Sequence, residues 1–391
     1  MPLAHGAPGV NTDAMITDVQ PTQLGVQPSQ FLEEYGKAGI IISKAPLVSG
    51  QIQPASVDLR LGEFAYRIRA SFMPDRRTTI LEKIESAMDG HRFDLSADGS
   101  VLDRGQVYLI PLQESLQLPG ALRGLANPKS STGRLDVLVR LITEKQNAFD
   151  EVPAGYKGQL YVEVVPQTFS IVVKPGTRLN QLRLTRGDTS PALRNGDLRR
   201  RYNNGDLVQP ATEKLVAHAS LVPVTIDLQG DGSGAPVGFR AKRFTNRINL
   251  ELIQHYEWED YWDPIYARSG RLILDPGEFY ILATRETVRV PPEFAAEMVA
   301  YESRSGEYRA HYAGFFDPGF GTTGRGSKAV LEVRSYIPFM LEHGQPIGYL
   351  RYEKLASPPR LVYGSGIGSN YEGQGLALAK QFKPYMAPAK S

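Results

Sequence analysis

The sequence predicts an all-β protein of two tandem domains with few short helices. Three observations carry this prediction: the length of 391 residues, the frequency of glycine (38) and proline (28), and a set of motifs that recurs in the same order. Chains of this length usually divide into two domains of roughly 100 to 200 residues each. Glycine and proline break the sequence into short stretches rich in β-branched and aromatic residues, a pattern typical of strands joined by turns.

Strand-like alternation is clearest in residues 159–165 and 169–173, which we interpret as two strands. Helical periodicity is convincing only in residues 28–38, where three apolar side chains recur on one face. A second, weaker helical pattern covers residues 292–301. Helices are therefore expected to be accessory elements.

A polar segment separates the two predicted domains. Residues 187–207 carry four arginines among Asn, Gly and Asp, which indicates a linker, with a solvated charged face as the alternative. We expect a flexible tail at 1–27, a first domain at 28–190, a linker at 191–222 and a second domain at 223–391.

The two halves repeat the same motifs. Residues 57–59 return as 226–228, and the turn and strand of residues 102–108 return as 274–280. In each half the segment continues through a strand to a proline, Pro119 or Pro292. Further along, a strand in each half carries a glutamate, and the two strands align Glu163 with Glu332. Because matches in the same order indicate duplication, we predict that the halves once assembled as separate subunits.

Composition excludes several classes of function. The hydrophobic fraction of 41% suits a globular protein, and no apolar run reaches the ~20 residues of a membrane span. A net charge of +2 gives no broad basic surface for nucleic acid. The first residues lack the basic start and apolar stretch of a secretory signal, so a cytoplasmic protein is expected.

The absence of cysteine excludes disulfides, thiolate nucleophiles and cysteine-ligated zinc. The six histidines show no close spacing of the kind that metal sites use. We therefore expect no metal site formed by protein side chains.

A candidate phosphate loop lies ten residues beyond Pro119. Lys129 and Arg134 supply two cations, Ser130 and Ser131 supply hydroxyl groups, and a glycine permits close approach of the backbone. Such a loop can hold a triphosphate.

The copy of this loop in the second half differs in charge. Counting ten residues from Pro292 places Glu302 and Glu307 where the first half has cations, and two carboxylates would repel phosphate. A shift of two residues instead gives Arg304 and Arg309. With the first alignment, only the first half binds phosphate.

The second half retains its own element in residues 311–321, which contain an Asp-Pro-Gly turn at 317–319. The corresponding segment of the first half has Pro153 where Asp317 stands. The halves are thus specialised in complementary ways, one with the phosphate loop and the other with the hairpin and its aspartate.

Together these motifs resemble the dCTP deaminases of the dUTPase-like superfamily, in a duplicated long form. Residues 53–62 resemble the N-terminal signature of that family, and Ser130 with Arg134 fits its Ser-Ser-x-x-Arg motif. Lys129 stands where the family usually has arginine, and Asn370 where a lysine is expected. The remaining matches are Ala313, the turn at 317–319, Glu332, and the tail 363–375, which is similar to a segment that closes over the triphosphate.

The resemblance implies two dUTPase-like domains of β-clip, or distorted jelly-roll, architecture. It implies sites between a first-half loop and a second-half hairpin, in the same chain or in an adjacent one, and a homo-oligomer. The implied substrate is dCTP, which is hydrolysed to dUTP and ammonia, with dTTP as a candidate inhibitor. Magnesium is expected to bind through the triphosphate, and no zinc is expected.

The resemblance also implies roles for individual residues. Glu332 is the expected general base for an attacking water, with Ser130 and Arg134 beside that water. Glu163 is the rival carboxylate in the other repeat. The expected substrate-binding residues are Lys129, Ser131, Ala313, Asp317, Tyr363, Asn370 and Gln374.

Three other functions compete with this one. A dUTP pyrophosphatase shares the fold, and residues 319–324 resemble its glycine-rich motif, but their place inside a hairpin turn argues against it. A bifunctional enzyme would carry dCTP to dUMP. A catalytically inactive nucleotide-binding regulatory protein would bind without turnover.

Overall fold

The computed structural model describes residues 23–211, 215, 219–266, 269–300, 308–310, 314–324, 326–364 and 373–385. Strands form most of the regular structure in these ranges, and the four α-helices there are short. The predicted all-β fold with few short helices is therefore confirmed.

Thirteen strands of the first half and thirteen of the second are found in the described ranges. The first-half strands are β1 Gly25–Val26, β2 Ile41–Ser43, β3 Val57–Arg60, β4 Phe64–Ile68, β5 His91–Asp94, β6 Ser100–Leu102, β7 Val107–Gln117, β8 Leu122–Pro128, β9 Val137–Thr143, β10 Glu151–Val152, β11 Lys157–Pro166, β12 Ile171–Val173 and β13 Arg178–Arg186. The others are β14 Val208–Gln209, β15 Val222–Thr225, β16 Gly238–Ala241, β17 Ile248–Asn249, β18 Trp262–Ile265, β19 Arg271–Leu274, β20 Phe279–Val288, β21 Phe294–Ala300, β22 Tyr308–Ala310, β23 Phe315–Phe316, β24 Ser327–Ser335, β25 Phe339–Glu342 and β26 Pro346–Lys354. The helices are α1 Ser29–Lys37, α2 Ile80–Ala87, α3 Ser130–Gly133 and α4 Asn195–Asn203, with a 3₁₀ turn at Trp258–Asp260.

The sheets repeat the duplication that the motifs predict. One sheet has the strand order β5-β4-β7-β11-β9, and its counterpart has the order β18-β16-β20-β24-β22. Glu163 lies opposite Leu109 in the first, and Glu332 lies opposite Ile281 in the second. Even a turn is repeated, because the Tyr108 hydroxyl accepts from the Asp103 amide at 3.0 Å and the Tyr280 hydroxyl accepts from the Asp275 amide at 2.9 Å.

The hydrophobic core of the first half contains side chains of the second. Phe239, Trp262 and Phe382 are almost fully buried within the cluster that also holds Leu59 and Val162. Burial of one large aromatic side chain contributes roughly 1.5 to 3 kcal/mol. The two halves therefore stabilise each other.

Equivalent connections between strands take different paths in the two halves. In the first half, residues 69–90 join β4 to β5 and contain α2, whose Ile80 and Ile84 pack with Leu109 and Tyr161 over the outer face of the sheet. In the second half, residues 242–261 join β16 to β18 and pack into the first-half core, while Trp258 also contacts Phe239 of β16. Glu332, on the same face of β24 as Val330, is therefore not covered by this connection and lines a pocket instead.

One predicted helix is confirmed and the other is wrong. The helix expected at residues 28–38 is α1, which buries Leu32 and Tyr35. Residues 292–301 contain the strand β21 instead of a helix. Since β21 pairs with β26 on one side and β23 on the other, tertiary hydrogen bonding overrides the weak helical pattern.

The polar segment between the halves contains α4. Its Leu198 and Tyr202 are buried in the second core, while Arg199 and Arg200 are exposed. The helix therefore packs its apolar side on the second core and exposes its arginines to solvent, which is the charged face considered as the alternative to a linker. The domain boundaries themselves remain a prediction. No helix among the described residues is long and apolar enough to cross a membrane.

Candidate active site between the two halves

A pocket lies between the two halves of the chain, and it gathers most of the predicted site residues. Its first-half wall contains Lys129, Ser130, Ser131 and Arg134, and its second-half wall contains Asp317, Glu332, Tyr363 and Gln374. Both walls belong to one chain. Ala313 and Asn370, also expected at the site, lie outside the described residues, and the roles of all these residues remain predictions.

The phosphate loop follows directly from the end of β8. A single helical turn, α3, is closed by hydrogen bonds from the Thr132 amide to the Lys129 carbonyl at 2.8 Å and from the Arg134 amide to the Ser130 carbonyl at 3.0 Å. The Lys129 amide donates to the Leu179 carbonyl at 2.9 Å, which ties the loop to β13. The turn places both serines, half-buried, on the pocket wall.

The Lys129 ammonium forms an ion pair with Asp58, a carboxylate of β3 that is 1% exposed. Arg178 lies 3.6 Å from the same carboxylate oxygen. The Lys129 side chain is 24% exposed, so its charge is available at the pocket edge. A phosphate group that binds here shares this lysine with Asp58.

Arg134 connects the phosphate loop to the C-terminal segment. Its buried guanidinium donates to the Ala377 carbonyl at 3.0 Å and to Gln374 Oε1 at 3.1 Å. Gln374 in turn donates from Nε2 to the Lys328 carbonyl at 3.2 Å, at the start of β24. The segment from Gly373 onward therefore bridges the two walls, and its closure over a triphosphate remains a prediction.

Glu332 projects from β24 into the pocket and is 7% exposed. Burial raises the pKa of its carboxyl to about 8, while the nearby Arg134 charge lowers that pKa and Asp136 raises it. Asp136 itself forms an ion pair with Arg334, two residues along β24. Glu332 is thus a carboxyl group that can gain and lose a proton near neutral pH.

Asp317 follows β23 at the position where Pro153 follows β10 in the first half. Burial raises the pKa of Asp317 to about 6, the charges of Arg183 and Lys129 lower it, and Asp58 raises it. Its Oδ1 atom is buried and has no hydrogen-bond partner among the described residues. The carboxylate therefore has an acceptor site free for a ligand.

Phe316 and Phe320, which sequence reasoning did not assign to the site, form an aromatic wall beside Asp317 together with the predicted Tyr363. The rings of Phe316 and Phe320 meet edge to face with centroids 5.1 Å apart, and Tyr363 packs on Phe320 at 5.5 Å. All three line the pocket, as does Gln53. Aromatic faces suit a flat heterocyclic ring. The phenylalanines adjoin the predicted hairpin turn, but their orientation is not readable from local pattern.

Glu163 does not line this pocket. It is fully buried beneath residues 69–90, which include Ser71, whose hydroxyl lies beside the carboxylate. Burial raises its pKa, and a hydrogen bond from Ser71 and the charge of Arg140 oppose that rise. In this chain the rival carboxylate is closed off from any ligand.

The described residues contain no group of three or more His, Cys, Asp or Glu side chains arranged to hold a metal ion. The pocket offers cations and hydroxyl groups on one wall and carboxylates on the other. This arrangement suits a ligand with an anionic end and a polar, uncharged end.

Comparison with known proteins gives matches along nearly the whole chain. Residues 23–188 match the family described as the 2'-deoxycytidine 5'-triphosphate deaminase (DCD) N-terminal domain, and residues 194–382 match the C-terminal domain of the same family. The crystal structure of 2'-deoxycytidine 5'-triphosphate deaminase from Agrobacterium tumefaciens is similar with a TM-score of 0.82 and 44% identity, covering 88% of this chain and 100% of that one.

Shorter relatives match about half of the chain. A dCTP deaminase of Natronomonas pharaonis is 30% identical over 194 residues, which cover 46% of this chain and 90% of that protein. A dUMP-forming dCTP deaminase of Corynebacterium jeikeium is 32% identical over 187 residues, 46% of this chain and 92% of that protein.

Proposed function

Because this chain belongs to the dCTP deaminase family of enzymes, we propose that it hydrolyses dCTP to dUTP and ammonia. One observation carries the proposal: the buried Glu332 of the second half shares a pocket with Ser130 and Arg134 of the first. A proton acceptor, a hydroxyl group and a fixed cation are the groups that hydrolytic deamination requires.

The triphosphate binds the first-half wall, where Lys129 supplies a cation and the two serines supply hydroxyl donors. The nucleoside lies against the second-half wall. There the cytosine ring packs on the aromatic side chains, and a hydroxyl group of the sugar donates to the open Oδ1 of Asp317. Magnesium enters as part of the substrate, held mainly by phosphate oxygens.

In the reaction, Glu332 takes a proton from water while the oxygen attacks the ring carbon that carries the amine. A C–O bond forms and the ring nitrogen takes a proton from Glu332. A second proton, from the added hydroxyl, passes through the same carboxylate to the amine as the C–N bond breaks. Arg134 and Ser130 orient the water and stabilise developing negative charge. The pKa of about 8 suits a group that first accepts and then returns protons.

The glycine-rich turn is explained by packing, which weakens the case for a pyrophosphatase. Gly319 and Gly321 both have positive φ, and a Cβ on Gly321 would overlap the carbonyl oxygen of Val288. A Cβ on Gly319 would overlap Val362. The turn needs glycine for close contact with the backbone, so these residues need no phosphate to account for them.

Further hydrolysis of dUTP to dUMP is the second candidate function, because similar proteins from Corynebacterium jeikeium and Beutenbergia cavernae are dUMP-forming dCTP deaminases. Incubation with dCTP and MgCl₂, followed by anion-exchange separation, distinguishes the outcomes. We expect dUTP and ammonia in equal amounts. Formation of dUMP as the first product would support the bifunctional enzyme, and binding without product would support a regulatory protein. Homo-oligomer formation and inhibition by dTTP stay predictions.

A further inference from the structure

Arg183 is a buried arginine whose contacts cross from the first half to the second. It lies in β13 and its side chain is 1% exposed. Its guanidinium donates to the Ala296 carbonyl at 3.3 Å and to the Phe316 carbonyl at 3.4 Å, and lies 3.5 Å from Glu353 Oε2. All three partners belong to the second half.

The same guanidinium packs on an aromatic ring of the nucleoside hairpin. The central carbon of Arg183 is 3.9 Å from the ring centroid of Phe315. Phe315 and Phe316 form β23, and Asp317 is the next residue. One first-half side chain therefore holds both residues that precede the pocket aspartate. The planar guanidinium of arginine can stack on an aromatic ring and donate hydrogen bonds at the same time, which the ammonium group of lysine cannot do.

Charges around Asp317 give Arg183 a second role. The charged groups that act on Asp317 are Arg183, Lys129 and Asp58. Lys129 already forms an ion pair with Asp58, which offsets much of its effect. Arg183 has the largest effect among the charges that favour the ionised form of Asp317, against the opposing effect of burial.

We propose that Arg183 is a positioning residue, which fixes the hairpin against the first half and holds Asp317 in place for nucleoside recognition. The inference rests on the proposed function of the pocket. It also explains how phosphate and nucleoside walls from different halves keep a constant separation. Specificity would then depend on a residue that does not touch the substrate.

The test compares Arg183→Met and Arg183→Lys with the wild-type enzyme in dCTP deamination from pH 6 to 9. Methionine removes the charge and the hydrogen bonds, so we expect KM to rise about ten-fold at pH 7 with little change in kcat. Without the arginine, the pKa of Asp317 rises, so the defect should shrink as the pH increases to 9. Lysine keeps the charge, and its KM should rise several-fold with the wild-type pH profile.

Arg351→Met is the control, because Arg351 of β26 forms an ion pair with Glu297 at 2.9 Å in the sheet that contains the hairpin strand β23. This variant should melt at a lower temperature without changing the pH profile of KM. A folded Arg183→Met protein with the wild-type profile, or an Arg351→Met protein with the altered profile, overturns the proposal. If Arg183→Met does not fold, a wild-type KM in Arg183→Lys overturns it.

A different result distinguishes failure of the proposed function. If the wild-type protein releases no ammonia from dCTP, deamination fails as the function. Calorimetric titration with dCTP at pH 6 and 9 then tests Arg183 on binding alone. Weaker binding of Arg183→Met that recovers at pH 9 supports the positioning role, and binding equal to wild type overturns it.

Discussion

Replacing Glu332 by glutamine removes the proposed general base while keeping the size of the side chain. The carboxyl is buried on β24 and faces the wall that carries Ser130 and Arg134. Since loss of a general base typically slows proton transfer by at least ~100-fold, kcat should fall by that factor, or about 2.7 kcal/mol of barrier. dCTP binding should change little, because the phosphate contacts lie on the opposite wall.

The pKa of Glu332 sets a second magnitude. A pKa of about 8 leaves about a tenth of the wild-type molecules ionised at pH 7. The base acts in its ionised form, and kcat/KM follows the pKa of the free enzyme. Measured at subsaturating dCTP, kcat/KM should therefore rise about ten-fold from pH 7 to pH 9 and then level off. The residual rate of Glu332→Gln should lack this rise.

The assay is release of ammonia and dUTP from saturating dCTP, with Glu163→Gln as the matched control. Glu163 occupies the same register in the other repeat but is closed off by residues 69–90, so its variant should keep most activity. If Glu163→Gln abolishes deamination and Glu332→Gln does not, the active site pairs the halves in the opposite way and the assignment of Asp317 fails with it.

Three further predictions follow from other residues. Lys129→Ala should raise the KM for dCTP about ten-fold with little change in kcat, because one charge-assisted contact is lost. Arg304, which lies outside the described residues, is the comparison. If Arg304→Ala raises the KM for dCTP in steady-state kinetics as much as Lys129→Ala or more, the second half binds the phosphate and the roles of the halves are reversed. Chelation of magnesium should inhibit reversibly, and excess MgCl₂ should restore the full rate, since the ion binds through the nucleotide; inhibition that persists would contradict this. Glu163→Leu should stabilise the fold by about 1 to 3 kcal/mol in urea titrations, because a fully buried carboxyl, with only Ser71 as a hydrogen-bond partner, is removed. The pKa of Glu163 is raised in the folded state, so the stability of the wild-type protein falls as the pH rises above about 4.5. The stabilisation by Glu163→Leu should therefore grow above this pH. A stabilisation that does not change with pH would contradict the raised pKa of Glu163.

The sequence alone determined the features that depend on local pattern and on repetition. Strand alternation and the density of glycine and proline predicted the all-β fold. The helical periodicity of apolar residues in 28–38 predicted the helix α1. The recurring motifs predicted that Glu163 and Glu332 are equivalent, and their registers against Leu109 and Ile281 agree. The phosphate loop and the Asp317 turn were recognisable because each is a short continuous segment.

The tertiary structure decided what depends on contacts between distant residues. Residues 292–301 contain a strand because two neighbouring strands satisfy the backbone there. Glu163 is closed off because residues 69–90 pack over it, whereas the equivalent connection in the second half packs into the first-half core and Glu332 lines the pocket. Arg183 gave no sequence signal, because its carbonyl partners lie 113 and 133 residues along the chain. Burial and neighbouring charge set the protonation of Glu332 and Asp317, and only the packed fold brings those charges together.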